Sequence, residues 1–160
     1  MSSLLVRSGT AADIAAVVAL ERRTPEAPHW PERDYAAIAA STSASGAIRR
    51  TLLVAERDGR LIGFAVARAL AISHEGELES VAVDDGARRL GAGRALCESV
   101  VGWCRAEGAT AIDLEVRSAS EGPIALYASL GFLPAGRRRA YYSDPVDDAL
   151  LMRLELAEGG

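Results

Sequence analysis

An α/β fold with a mixed, mostly antiparallel sheet flanked by helices is the architecture that this sequence predicts. Three observations carry the prediction. Short apolar runs of strand length alternate with segments whose apolar residues recur at helical spacing. Asp58-Gly59 stands between two such runs. That pair signals a tight hairpin, because both residue types tolerate positive φ angles. A long segment over 91–107 has one apolar face and lies between two strand-like runs, 77–83 and 111–116. Such a unit predicts a right-handed parallel crossover.

The elements follow in order. Leu4, Leu5 and Val6 form a first short strand. Thr10 and Asp13 have capping-box spacing ahead of a helix. Ile14, Val17, Val18 and Glu21 mark one face of that helix. The helix fades at Thr24-Pro25, and Pro25, Pro28 and Pro31 mark a loop. A second helix is expected over 35–40, then a small polar connection over 41–46. Strands follow over 52–56 and 61–69, the two arms of the hairpin, and over 77–83. In the long helix Leu96, Val100, Trp103 and Cys104 give the apolar face, and Gly108 stops it. After the 111–116 strand, Ser120 caps a short helix that Gly131 ends. Two strands, 132–140 and 150–156, close the series, and the last four residues are expected to fray. The order is β-α-α-β-β-β-α-β-α-β-β, without an internal repeat, so residues 1–160 read as one domain.

Composition narrows the function. The 160 residues are 49% hydrophobic and 25% charged, which suits a soluble globular domain with its own core. The net charge is −4, which lends no support to nucleic-acid binding and favours a cationic acceptor. All 18 basic residues are Arg, so Schiff-base and Walker-type lysines are excluded. Cys97 and Cys104 lie seven apart on the long helix. Their Cα atoms are then roughly 10 Å apart, too far for a disulfide. Two buried thiols in a reducing compartment are expected. No signal-peptide pattern and no apolar run of membrane-spanning length occur, so no membrane partner and a cytoplasmic protein are expected. His29 and His74 lack metal-ligand spacing, and no metal site is expected.

The segment Arg88-Arg89-Leu90-Gly91-Ala92-Gly93 opens the long helix. Glycines there let the backbone approach a ligand. The first helical turn also offers unpaired N–H groups and a positive dipole end. Together these favour a pyrophosphate, and Arg88, Arg89 and Arg94 add positive charge. A dinucleotide fingerprint fits poorly. Leu96 occupies the third glycine position, and seven residues, 84–90, separate the turn from Val83.

Val81-Ala82-Val83-Asp84, followed by Arg88-Arg89-Leu90-Gly91-Ala92-Gly93-Arg94, resembles the acetyl-CoA signature of the GNAT acetyltransferase superfamily. The element order resembles that fold over essentially the whole chain. The resemblance implies acetyl-CoA as cofactor. Backbone amides of the turn from Arg88 to Gly93 would hold its pyrophosphate, and Val81, Ala82 and Val83 would pair with its pantetheine arm. Leu114-Glu115-Val116-Arg117, with Ala125-Leu126-Tyr127 and Leu130-Gly131-Phe132, is similar to a block of the RimI-like ribosomal-protein alanine N-acetyltransferases. Trp30 and the Tyr141-Tyr142 pair match that branch as well.

Acetyl transfer to an amine requires a base for the acceptor and a proton for the departing thiolate. By this resemblance Glu115 is the general base and Tyr127 the general acid, while the Val81 amide polarises the thioester carbonyl. Glu77 and Glu79, on the cofactor strand, are alternative bases. Trp30, Glu79, Ser80, Tyr141 and Tyr142 are the expected acceptor contacts. Ser120 stands where that branch carries Asn, so one contact to the cofactor arm is weakened, while Tyr127 remains beside the cofactor. The expected reaction is direct attack by a primary amine in a ternary complex. The amine belongs to a protein N-terminus or to a small molecule such as a polyamine, amino acid or drug. A non-catalytic acyl-CoA-binding module needs neither Glu115 nor Tyr127.

Overall fold

The computed structural model describes residues 4–24, 29–40, 47–143 and 145–156, without the side chains of Arg88 and Arg89. Pro25, Pro28, the 41–46 connection and the last four residues lie outside the described residues.

Seven strands form one sheet: β1 (Leu4–Ser8), β2 (Ile48–Arg57), β3 (Arg60–Leu70), β4 (Glu75–Val83), β5 (Ala111–Arg117), β6 (Leu133–Tyr142) and β7 (Asp147–Glu155). Their order is β1-β2-β3-β4-β5-β7-β6. Every neighbouring pair is antiparallel except β4 with β5. Among the described residues four helices flank it: α1 (Ile14–Arg22), α2 (Glu32–Ala40), α3 (Ala92–Ala106) and α4 (Glu121–Ser129). The observed order of strands and α-helices is the one the sequence predicts. Two short 3₁₀ turns, Ala11–Asp13 and Asp85–Leu90, are additional.

Local chemistry explains the elements. Asp58 and Gly59 take φ of 54° and 74°, the left-handed pair that a two-residue hairpin turn needs. The Thr10 N–H donates to Asp13 Oδ2 at 2.8 Å, so the predicted cap forms around the first 3₁₀ turn. In α3, Leu96, Cys97, Val100 and Cys104 are buried and form one stripe facing the sheet. Gly108, at φ +90°, lies just past its end. Ser120 does stand at the N-cap of α4, but its side chain makes no capping hydrogen bond.

The sheet separates two cores. One, beneath α3, includes Ala65, Ala67, Leu78, Leu96, Val100, Ile112 and Tyr127. The other, beneath α1 and α2, includes Val17, Tyr35, Val54, Phe64 and Val66. This three-layer packing covers both faces of the β2–β4 region and leaves β6 exposed along almost its whole length.

Candidate active site

The central feature is a split in the sheet. β4 and β5 pair at only three positions, Glu75 with Ala111, Gly76 with Ile112 and Glu77 with Asp113. Beyond Glu77 the strands part, although β4 stays paired with β3 up to Val83 and β5 stays paired with β7 up to Arg117. The parting begins at a bulge. Val66 pairs with Ser80 and Ala67 with Leu78, so Glu79 is an extra residue on β4. A bulge bends its strand and raises the local twist, which turns β4 away from β5. The resulting slot has backbone edges on both walls that no neighbouring strand uses among the described residues. Val81, Ala82 and Val83 lie on one wall and Glu115 on the other.

At the end of β4 the chain runs through the 3₁₀ turn into α3. Gly91 takes φ +81°, and among the described residues no side chain caps the helix behind it. The first N–H groups of α3 are therefore left for a ligand. A Cβ on Gly93 would lie 3.4 Å from Leu126 Cδ2 and 3.6 Å from Val83 Cγ2. The helix start, the strand end and α4 thus meet at this glycine. Arg94 adds a link, donating to Ser129 Oγ at 3.0 Å. Ala92 is buried, Leu90 is exposed, and Arg88 and Arg89 belong to the 3₁₀ turn with side chains outside the described residues. An open slot that leads to an uncapped helix N-terminus suits an extended amide chain ending in a pyrophosphate.

Charged groups line the same sheet face as α1 and α2. Arg50 donates to both oxygens of Glu79, at 3.0 and 3.1 Å. Arg68 donates to Glu77 at 2.7 Å. Burial pushes the Glu77 carboxyl above its ordinary value, and nearby Glu79 and Glu115 add to the rise against the pull of Arg68. Glu115 is held more loosely, by Arg138 Nε at 3.3 Å. Arg117, its neighbour on β5, turns elsewhere: it lies over the Tyr142 ring at 4.4 Å and donates to the carbonyls of Ser143 and Pro145.

Tyr127, on α4, is buried with its ring edge-on to Phe132 at 6.0 Å. Burial, with some contribution from Cys97, pushes its phenol up, so it keeps its proton at neutral pH. Among the described residues its hydroxyl has no hydrogen-bond partner. Ser80 is 5% exposed and its Oγ is likewise unpartnered among the described residues. Tyr141 and Tyr142 stack edge to face at 5.1 Å, with Arg138 over Tyr141.

Trp30 is placed by a residue whose role the sequence reading missed. The Trp30 N–H donates to Glu21 Oε2 at 2.9 Å, and the Tyr35 hydroxyl donates to the same oxygen at 2.6 Å. Arg50 lies over the Trp30 ring at 5.5 Å. Glu21 falls on the apolar stripe of α1, and a carboxylate on such a stripe is the signal that it has buried partners. Arg50, Arg138, Asp147 and Asp148 were also missed, and nothing in their spacing marks them. Among the described residues no group of His, Cys, Asp or Glu is gathered for a metal ion, and no helix is long and apolar enough to cross a membrane.

Residues 14–132 match the model of the acetyltransferase (GNAT) family. The chain belongs to the GNAT acetyltransferase family. It is 32% identical over 147 residues to the ribosomal protein bS18-alanine N-acetyltransferase of Escherichia coli K12, covering 91% of this chain and 93% of that one. The crystal structure of the Escherichia coli ribosomal-protein-S18-alanine N-acetyltransferase superposes with a TM-score of 0.82 at 31% identity, covering 99% of this chain and 97% of that one. A Salmonella typhimurium structure solved with its cofactor acetyl-CoA shares the fold, with a TM-score of 0.81 at 22% identity, 99% of this chain and 96% of that one. This GNAT protein is therefore an N-acetyltransferase that uses acetyl-CoA, and the split sheet and glycine turn fit that cofactor.

Proposed function

We propose that this single-domain enzyme acetylates a protein N-terminal α-amine by direct attack in a ternary complex. The observation that carries the acceptor class is the likeness to bS18-alanine N-acetyltransferases over nine-tenths of both chains. Bound acetyl-CoA supplies the acetyl group as a thioester. Backbone N–H groups at 88–93 hold the pyrophosphate, with the Arg94 side chain nearby, and the free edge at Val81, Ala82 and Val83 aligns the pantetheine arm. Ser120, at the mouth of α4, lies beside that arm.

Glu115 takes the proton of the attacking amine. Its loose contact with Arg138 supports it over Glu77 and Glu79, which are more tightly bound to Arg68 and Arg50. Tyr127 keeps a proton at its hydroxyl oxygen and gives it to the departing sulfur. The Val81 N–H polarises the carbonyl. Trp30, Glu79, Ser80, Tyr141 and Tyr142 line the acceptor side. The free, buried Cys97 and Cys104 suit a reducing, cytoplasmic setting.

The test is an acetylation screen with the purified protein and acetyl-CoA. N-terminal peptides, including Ala-initiated basic ones, are compared with polyamines and free amino acids by CoA release and product mass. Acetylated peptide α-amines are expected, with no transfer to N-formylated controls. Transfer to small amines alone would replace the acceptor class. Background release with every acceptor would favour a binding module.

A further inference from the structure

We propose, on the acceptor reading given above, that Asp148 is a positioning residue that sets the Tyr141-Tyr142 wall of the acceptor site. Arg138 pairs with Ala149 and Tyr142 with Asp147, so Arg139, Ala140 and Tyr141 stand opposite the one residue Asp148. β6 therefore carries two extra residues at this point. The backbone is strained at one of them: Ala140 takes φ +49°, a left-handed conformation that a side chain disfavours. The Asp148 carboxylate holds this bulge. Its Oδ1 accepts from the Ala140 N–H at 2.9 Å and its Oδ2 accepts from Arg137 at 2.9 Å.

The bulge is coupled to the reacting side of the sheet. Just beyond it Tyr142 lies beneath Arg117, and Tyr141 lies beneath Arg138, the residue that also reaches Glu115. Asp147 fixes the other end of the hairpin. It accepts from the Ser118 hydroxyl and from the Ala119 N–H at 3.1 Å, in the connection between β5 and α4. The Ser118 N–H in turn donates to the Asp148 carbonyl at 3.0 Å. The two aspartates thus pin the tyrosine wall to the end of the strand that carries Glu115. An ordinary hairpin would need no strained residue here. The strain persists because Asp148 compensates it, and it re-aims two aromatic side chains.

The test compares wild type with Asp148→Ala, Asp148→Asn and the double variant Asp148→Ala with Ala140→Gly. Loss of the carboxylate is expected to raise the acceptor peptide's KM about tenfold or more, with kcat and the KM for acetyl-CoA within about threefold. Asn keeps one acceptor oxygen for the Ala140 N–H and is expected to fall between the two. Glycine adopts positive φ without strain, so the double variant is expected to regain much of the lost affinity. Trypsin cleavage at Arg137, Arg138 and Arg139, mapped by mass, reports the bulge without any acceptor. It should be about tenfold faster in Asp148→Ala and slower again in the double variant. Cleavage and acceptor KM both equal to wild type would overturn the proposal. So would a parallel loss of kcat and both KM values without rescue, which marks a merely structural residue. If wild type acetylates no peptide, the acceptor reading fails, and unchanged cleavage in Asp148→Ala then overturns the hold of Asp148 on the bulge.

Discussion

The Tyr35 hydroxyl donates to the Glu21 carboxylate at 2.6 Å inside the α1–α2 core, where Glu21 is 1% and Tyr35 0% exposed. The same carboxylate oxygen accepts from the Trp30 N–H. Removing it leaves the buried Tyr35 hydroxyl and the half-buried Trp30 N–H without that partner. Glu21→Ala should therefore cost about 2–5 kcal/mol and Tyr35→Phe about 1–3 kcal/mol. Urea unfolding with unchanged m-values measures both. Arg153→Ala, which breaks a partly exposed ion-pair cluster, serves as the control and should cost about 1 kcal/mol or less. A Glu21→Ala protein as stable as the control would show that this buried carboxylate does not hold Trp30 and Tyr35 in place.

Tyr127→Phe separates chemistry from packing. The ring contact with Phe132 survives, and only a hydroxyl without a protein partner among the described residues is lost. Stability should change by less than about 0.5 kcal/mol, while kcat falls about 10²–10⁴-fold with little change in the acetyl-CoA KM. Because burial raises the Tyr127 phenol above its ordinary value, its loss of a proton should not limit kcat at neutral or mildly alkaline pH. Stopped-flow and steady-state assays of both proteins check this. Equal kcat values would remove the general acid from the mechanism.

Gly91 tests the phosphate turn. Among the described residues a Cβ there meets nothing within 4 Å, so Gly91→Ala introduces no clash with them and strains a backbone at φ +81°. That strain is about 1–2 kcal/mol. If the turn relaxes to escape it, acetyl-CoA binding should weaken about tenfold, since 1.4 kcal/mol is a factor of ten. Calorimetric titration with acetyl-CoA and a thermal melt of the free protein give the two halves of that cost. Unchanged affinity together with unchanged stability would mean the turn does not depend on the left-handed residue.

The strands, the helices and the glycine turn were legible because each follows from local rules. Asp58-Gly59 dictates its hairpin, and the stripe through Leu96, Val100 and Cys104 dictates the face of α3. The pieces that set the site's geometry were not legible. The extra residue at Glu79 and the two extra residues near Ala140 are register events between strands distant in sequence, and no spacing within one strand reveals them. The partner of Glu115 shows the same limit. Arg117 stands two residues away on the same strand, yet the cation that reaches Glu115 is Arg138, from a strand not adjacent to β5 in the sheet. Glu21 alone left a trace, as a charge on an apolar stripe.

The two thiols predict an alkaline limit to stability. Cys97 and Cys104 are 2% and 0% exposed, and burial pushes both from about 9 up to about 12. Below pH 9 both thiols are protonated in folded and unfolded chains, so they contribute no pH dependence. Between pH 9 and 12 the unfolded chain loses these protons and the folded one keeps them, so stability falls as pH rises. The slope approaches about 1.4 kcal/mol per pH unit for each thiol. Tyr35 and Tyr127, also raised by burial, add to it from about pH 10. Urea midpoints at pH 8, 9, 10 and 10.5 should therefore drop progressively. In Cys97→Ala with Cys104→Ala the starting stability is lower, because cavities form beneath α3. The decline between pH 9 and 10 should nevertheless be flatter than in wild type. Parallel declines in the two proteins would show that the thiols are not the groups that titrate.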